Sequence, residues 1–422
     1  MNPLNLYTSC FVSADRTALE RLRKIPRLPR SFTPTPIDEL ARLRESLRAD
    51  ARLLVKRDDA IPVGFGGNKI RKLQVVAAQA LEAGADTLIT TGGIQSNHAR
   101  ATAAIAARLG LGCILVANGQ AQEKPTGNAL LDRLLGAEVR YVPTREARAP
   151  AMEEAAKELR RGGRKPFVIP LGASTAHGAA AYASAVHEVL ANIPPPDAIV
   201  LSTSSGGTQA GVIAGCQLHG VKTRVIGISA DDPAAVIEGA IRGIHRDLAA
   251  LLELPEDAFA GAAVEIDDTF VGQGYGVPTP ESTEAIELCA RREALFLDPT
   301  YTAKAMYREA IAEYQRANKL GDLSYALQIY SGATYARMGD REQALSILKQ
   351  LQTSTSYVSP AQLAILYAAL DEPEQAFASL NAAYAAHDLW LQSLGVEPNY
   401  DSLRSDPRFT DLMRKTGLPQ QE

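Results

Sequence analysis

Between Thr35 and about Pro299 the chain alternates short β-branched runs with longer Ala- and Leu-rich stretches, and this alternation leaves few folds open. The runs LLVK, DTLIT, CILVAN, EVRYV, FVIP, AIVLS and RVIGIS read as strands, and the segments between them are amphipathic or Ala-rich enough for helices. Parallel neighbours need a crossover helix, and a parallel sheet is covered on both faces. The expectation is an α/β fold on a mostly parallel sheet. In such folds ligands collect where strand C-termini meet helix N-termini.

One such junction is VKRDDAIPVGFGGNKIRK, residues 55–72. A strand ends at Val55, Pro62 to Gly67 forms a loop, and Asn68 reads as the N-cap of the helix KIRKLQVVAAQALEAG. Lys69, Arg71 and Lys72 then crowd the first helical turn, which already carries partial positive charge and unpaired N–H groups. An anion bound there, or a lysine meant to have a low pKa, would explain so self-repelling an arrangement. Taken alone, the stretch is equally a solvated basic helix start paired with Asp58 and Asp59. Two more Gly/Ser/Thr-rich loops occupy the same kind of junction: TTGGIQSNH, residues 90–98, and STSSGGTQAG, residues 202–211. The second suits a phosphate, because small residues let successive N–H groups approach it; packing alone also makes such turns small-residue-rich. Further on, GQGYGVP and LDPTYT set Tyr275 and Tyr301 in rigid turns, where a buried core tyrosine is the plain alternative. His98, at a helix start, reads as a capping or packing group.

Composition narrows the class. With 422 residues there is room for two or more domains, and 46% hydrophobic with 22% charged residues is ordinary for a globular chain. A net charge of −4 suggests neither nucleic acid nor a membrane surface as partner. Cys10, Cys113, Cys216 and Cys289 lie far apart without CxxC spacing, so no disulfide framework and no metal site is expected, and a cytoplasmic setting is. The first 27 residues read as a loosely docked extension without a signal-peptide pattern.

GGNKIRKL, TTGGIQSNH, STSSGGTQAG, GYGVP and LDPTYTAKAM, in that order and with similar separations, resemble the D-cysteine desulfhydrase and 1-aminocyclopropane-1-carboxylate deaminase family of pyridoxal-phosphate enzymes. The resemblance runs from about Leu28 to Met306. It implies the two-lobed, parallel-sheet fold of the tryptophan-synthase-β-like enzymes, pyridoxal 5'-phosphate as cofactor, a small amino acid as substrate and a homodimer. It also implies Lys69 as the lysine bonded to the cofactor. Lys72 and the loop Ser204, Ser205, Gly206, Gly207 and Thr208 would hold the phosphate, and Asn97 the phenolic oxygen. Ser96, Tyr275 and Tyr301 would serve the substrate. Crowding by Arg71 and Lys72 would keep Lys69 partly neutral, as a lysine that bonds an aldehyde must be. In the family the residue after the second tyrosine is glutamate in the deaminases and threonine in the desulfhydrases; here it is Thr302, expected near the cofactor's ring nitrogen. Elimination of sulfide from D-cysteine, giving pyruvate and ammonia, is therefore the leading expectation, and the deaminase reaction the second.

After Met306 only helical periodicity remains. ATYARMGDREQALSIL, from Ala333, aligns with ILYAALDEPEQAFASL, from Ile365, superposing Tyr335 on Tyr367, Gln343 on Gln375, Ala344 on Ala376 and Leu348 on Leu380. This resembles tetratricopeptide repeats, with YREAIAEYQRANKLGD as a partial earlier copy and a protein or peptide as the implied partner; an ordinary helical bundle would bury the same stripes. The expected domains are 1–27, 28–306 and 307–422. The family's α/β domain continues to a last strand and a Thr-Gly-Gly turn, and the sequence after Lys304 shows neither. A third expectation is thus a repeat-bearing interaction protein whose enzyme-like domain is weakly active or silent.

Overall fold

A computed structural model describes residues 15–29, 33–47, 51–306, 325–353, 358–388, 390–391, 394–395 and 397–416. The partial repeat copy expected at 307–322 lies outside them. The chain divides into two compact units, one of Met1–Glu39 with Leu54–Asp268, the other of Leu40–Leu53 with Thr269–Glu422. The expected boundary after Met306 falls inside the second.

The first unit runs α1 (Arg16–Lys24), β1 (Ile37–Glu39), β2 (Leu54–Lys56), α3 (Asn68–Glu82), β3 (Thr87–Gly93), α4 (Asn97–Leu109), β4 (Gly112–Asn118), α5 (Gly127–Leu134), β5 (Glu138–Val142) and α6 (Arg148–Arg161). It continues through β6 (Pro166–Val168), α7 (Ala176–Asn192), β7 (Ala198–Thr203), α8 (Gly207–Leu218), β8 (Arg224–Ser229), α9 (Ala234–Leu251) and β9 (Glu265–Asp267). Two parallel sheets result, of order β5-β4-β3-β6 and β7-β8-β9. In the first, Thr87 pairs with Gly112 and Gly93 with Asn118, so β3 and β4 end level and deliver their loops to one edge. β3 is buried from Thr87 to Gly92, as a central parallel strand covered on both faces must be.

Two strands depart from the sequence reading. LLVK joins neither parallel sheet: β2 pairs antiparallel with β1, Ile37 opposite Lys56, in a separate two-stranded ladder. β9, EID, was not expected; it is short and two of its three residues are acidic, so the β-branched signal is missing.

Helix packing follows from small residues. A Cβ on Gly211 of α8 would sit 2.3 Å from the Ala179 carbonyl oxygen of α7, so the two helices approach at a distance no larger residue allows. α7 and α8 contribute Ala179, Ala180, Ala183, Ala210 and Ala214 to the core, all at or near zero exposure. That close seam fixes the loop in front of α8.

In the second unit α2 (Ala41–Leu47) meets α10 (Pro280–Glu293), where the Leu43 N–H donates to Glu293 Oε1 at 2.6 Å. Helices Tyr325–Arg337, Arg341–Gln352, Pro360–Ala369 and Pro373–Ala385 follow. The residues expected to correspond are buried alike: Ala344 and Ala376 are fully buried, and Leu348 and Leu380 nearly so. They share one core, from Ile329 to Met413, whose members among the described residues all belong to the helical segment. We propose that this segment folds by itself, since its helices bury a core among themselves. A fragment of residues 325–416 should give a helical circular dichroism spectrum and melt cooperatively; an unfolded fragment would show that it needs the rest of the chain.

Candidate active site

α3 starts one residue earlier than the sequence suggested. Gly67, at φ +92°, is the N-cap and no side chain caps the helix; Asn68, expected as the cap, is its first residue and donates Nδ2 to Thr208 Oγ1 at 3.1 Å. Thr208 stands in the first turn of α8, whose N-cap Gly206, at φ +75°, has no capping side chain either. Two helix starts without a capping side chain of their own are thus tied together, and their dipoles make one electropositive corner.

The three cations of α3 separate. Arg71 turns away into a buried network: its guanidinium binds Asp58 at 2.7 Å and Glu188 at 2.7 Å, with Tyr182 donating to Asp58 at 2.5 Å. Burial works to raise both carboxyls, but the bonds and charge of Arg71 outweigh it and hold Asp58 and Glu188 below their ordinary values. The pairing of this stretch with Asp58 is therefore real, but made by Arg71 alone; Asp59 pairs with Arg57. Crowding by Arg71 is consequently not what lowers Lys69. Burial pulls the Lys69 ammonium down to about 8, against the opposing charge of Asp231.

Lys72 is 1% exposed and donates to the Gly172 carbonyl oxygen at 2.9 Å and to Ser174 Oγ at 3.3 Å. Among the described residues no carboxylate pairs with it, and burial, then the charge of Lys69, push its pKa far down. A buried amine that no carboxylate among the described residues answers, beside two helix starts without a side-chain cap of their own, fits a phosphate, whose charge would favour the protonated amine. Ser174 Oγ also bonds Ser205 Oγ at 2.8 Å and accepts from the Gly207 N–H at 3.3 Å. Gly172, at φ +69°, lies where a Cβ would come within 2.4 Å of Ser205 Oγ and 3.3 Å of Lys69 Nζ. Lys69, Lys72, Ser205 and Gly207 therefore converge on the turn 170–174. That turn was missed from the sequence, although LGAST after strand FVIP repeats the small-residue, strand-to-helix pattern of the other loops.

Ser96 is the N-cap of α4 and accepts from the Ala99 N–H at 3.2 Å. Asn97 Oδ1 accepts from Asn128 Nδ2 at 2.9 Å; Asn128, in the first turn of α5, had no sequence signal. His98 is buried and bonded to Thr90 Oγ1 at 2.8 Å. Burial and the charges of Lys69 and Lys72 keep it neutral. Ser204 and Asp231 bond each other near Lys69. In the second unit, Tyr301 donates its hydroxyl to Tyr275 at 3.0 Å, the rings edge to face. Thr302 Oγ1 accepts from the Asp298 N–H at 2.8 Å.

A parallel α/β unit that offers an amine of low pKa beside a phosphate-shaped corner defines an enzyme working through a phosphorylated aldehyde. The chain belongs to the family of pyridoxal-phosphate dependent enzymes, whose model matches residues 28–332. It is 36% identical over 297 residues to a D-cysteine desulfhydrase of Klebsiella pneumoniae (strain 342), covering 68% of this chain and 89% of that protein. It is 37% identical over 298 residues to a 1-aminocyclopropane-1-carboxylate deaminase of Bradyrhizobium diazoefficiens, covering 68% and 88%. A crystal structure described as an ACC deaminase homologue superposes with a TM-score of 0.65 at 34% identity, over 73% of this chain and 92% of that one. Pyridoxal phosphate is thus the cofactor, and lyase chemistry is supported. Among the described residues no helix is long and apolar enough to cross a membrane.

Two measurements follow from the charges. Replacing Arg71 by alanine leaves Asp58 buried with only the Tyr182 and Thr35 hydroxyls and Glu188 with only Lys56, and should cost about 3 kcal/mol in urea unfolding at neutral pH. Their folded pKa values are depressed, so the stability they lend is present above the unfolded pKa and lost as pH falls through the folded one; the gap between variant and wild type should narrow below about pH 4. For Lys69, uptake of pyridoxal phosphate by the cofactor-stripped chain should quicken with pH and level off above about 8, where the amine is neutral. Borohydride reduction and peptide mapping should then find the label on Lys69; a label on Lys72 or Lys56, or a rise continuing towards pH 10, would contradict this assignment.

Proposed function

We propose that the chain eliminates sulfide from D-cysteine, giving pyruvate and ammonia. The two relatives are about equally similar and carry different activities in their names, so they do not choose between substrates. What supports D-cysteine is Thr302, a hydroxyl engaged with the Asp298 backbone, where the resemblance gives the deaminases a carboxylate. Bound pyridoxal phosphate supplies an electron sink, and a hydroxyl at the ring nitrogen leaves that sink weaker than a carboxylate does. A good sulfur leaving group needs less of it than an unactivated ring carbon.

The residue roles belong to the same proposal. Lys69, neutral above about pH 8, would bond the cofactor's aldehyde and, as a free amine, would be the base for the proton next to the substrate's amino group. Lys72, Ser204, Ser205, Gly206, Gly207 and Thr208 hold the phosphate, joined by Ser174; Asn97 bonds the phenolic oxygen. Ser96, Tyr275 and Tyr301 attend the substrate. Tyr301 donates to Tyr275, and an accepted bond polarises the acceptor's own O–H, so Tyr275 is the better proton donor of the pair. The helical segment is assigned a peptide, or a second copy of the chain, as partner.

Among the described residues no strand follows β9, which favours a second reading in which the cofactor binds but turnover is slight. Sulfide release from D-cysteine and 2-oxobutanoate release from 1-aminocyclopropane-1-carboxylate, measured side by side, should favour sulfide. Thr302→Glu should lower sulfide release roughly ten-fold and raise ring opening. Faster 2-oxobutanoate than sulfide in the unaltered chain reverses the assignment. Cofactor bound without release of either product decides for the second reading.

A further inference from the structure

The two ends of the Asn97 amide differ in hydrogen-bond polarity, and three backbone groups decide which end goes where. The Asn128 N–H can only donate, and it meets Gln95 Oε1 at 2.8 Å; the Thr126 carbonyl can only accept, and it takes Gln95 Nε2 at 3.0 Å. Gln95 is thereby fixed. Its own carbonyl can only accept and takes Asn128 Nδ2 at 2.8 Å, which turns the Asn128 NH2 group towards residues 95–97. The same Nδ2 reaches the Asn97 side chain at 2.9 Å, so the atom it meets there is Oδ1, and Nδ2 is the opposite end. Gly127, at φ +56°, permits the approach, since a Cβ there would stand 2.6 Å from Gln95 Oε1.

We propose that Asn128 is a positioning residue: it orients the Asn97 amide to offer N–H donors to the site, which selects an ionised oxygen, the phenolate of the cofactor, over its protonated form. This rests on the reading that Asn97 faces that oxygen. Donors stabilise the charged form of an oxygen, and an acceptor in the same place stabilises the O–H form. A reversed amide would present Oδ1 and invert the preference. Asn128→Asp does this at constant shape, because a carboxylate cannot donate to Oδ1 and accepts from Nδ2 instead.

The test titrates pyridoxal phosphate into the cofactor-stripped full chain and records affinity and absorption spectrum, neither of which needs turnover. Asn128→Asp should bind about ten- to a hundred-fold more weakly. The bound cofactor should lose visible absorption to the near-ultraviolet band of the neutral, O-protonated form. Acidification that protonates the introduced carboxyl gives back a donor and should restore the visible band. Should Asn128→Asp fail to fold, Asn128→Ala carries the test with a several-fold loss of affinity. Asn97→Ala is the control. If it loses affinity while both Asn128 variants match the wild type in affinity and spectrum, Asn97 touches the cofactor and the proposal alone is overturned. If Asn97→Ala also matches the wild type, the underlying reading fails and the proposal with it.

Discussion

The double ion pair of Arg71 with Asp58 and Glu188 is the interaction on which the rest of the site depends. Asp58 belongs to the loop before α3, Arg71 to α3 and Glu188 to α7, so one guanidinium locks three segments far apart in the chain. It also settles the charge arithmetic of the helix start. With the Arg71 charge answered by two carboxylates, Lys69 and Lys72 are the cations left beside the two helix N-termini, one with an accessible lone pair near neutrality and one that no carboxylate among the described residues answers. Desolvating so many groups is expensive, and its return is geometric: α3 has one rotation about its axis that keeps Arg71 paired, and that rotation aims Lys69 at the turn 170–174.

Much of this was legible in the sequence because it is written in periodicity. Strands β3, β4, β5, β7 and β8 announce themselves by β-branched runs, and the loops after β3 and β7 by clusters of Gly, Ser and Thr. What was not legible is long-range. Nothing local says that Arg71 meets Glu188, 117 residues on, so three cations in one turn looked like mutual repulsion when one of them was spoken for. β2 was assigned to the wrong kind of sheet because its partner β1 is three residues long and carries little pattern. The contact of Asn128 with Asn97 could not have been found at all, since it spans 31 residues and an asparagine in the first turn of a helix has many other uses.

The helical segment shows the other side of the same rule. At two of the aligned pairs, Ala344 with Ala376 and Leu348 with Leu380, both members are buried, as a repeat and an ordinary bundle alike require. A sequence period survives into structure when each unit packs on its neighbour, since the same small residues are then needed at each crossing. The α/β unit has no such redundancy, and its chemistry sits at contacts made once.

Lys72 has a consequence that reaches beyond the site. A buried lysine amine whose partners are a carbonyl and a hydroxyl would be held more firmly as an ammonium once a phosphate lay beside it, as the proposed cofactor site requires. A ligand bound by the folded chain and not the unfolded one adds RT ln(1 + [L]/Kd) to folding stability, so at a free concentration a hundred times Kd the gain is about 2.7 kcal/mol. A chain stabilised in this way would be the easier target for proteases when its cofactor ran short, so that the amount of enzyme would fall along with the fraction loaded.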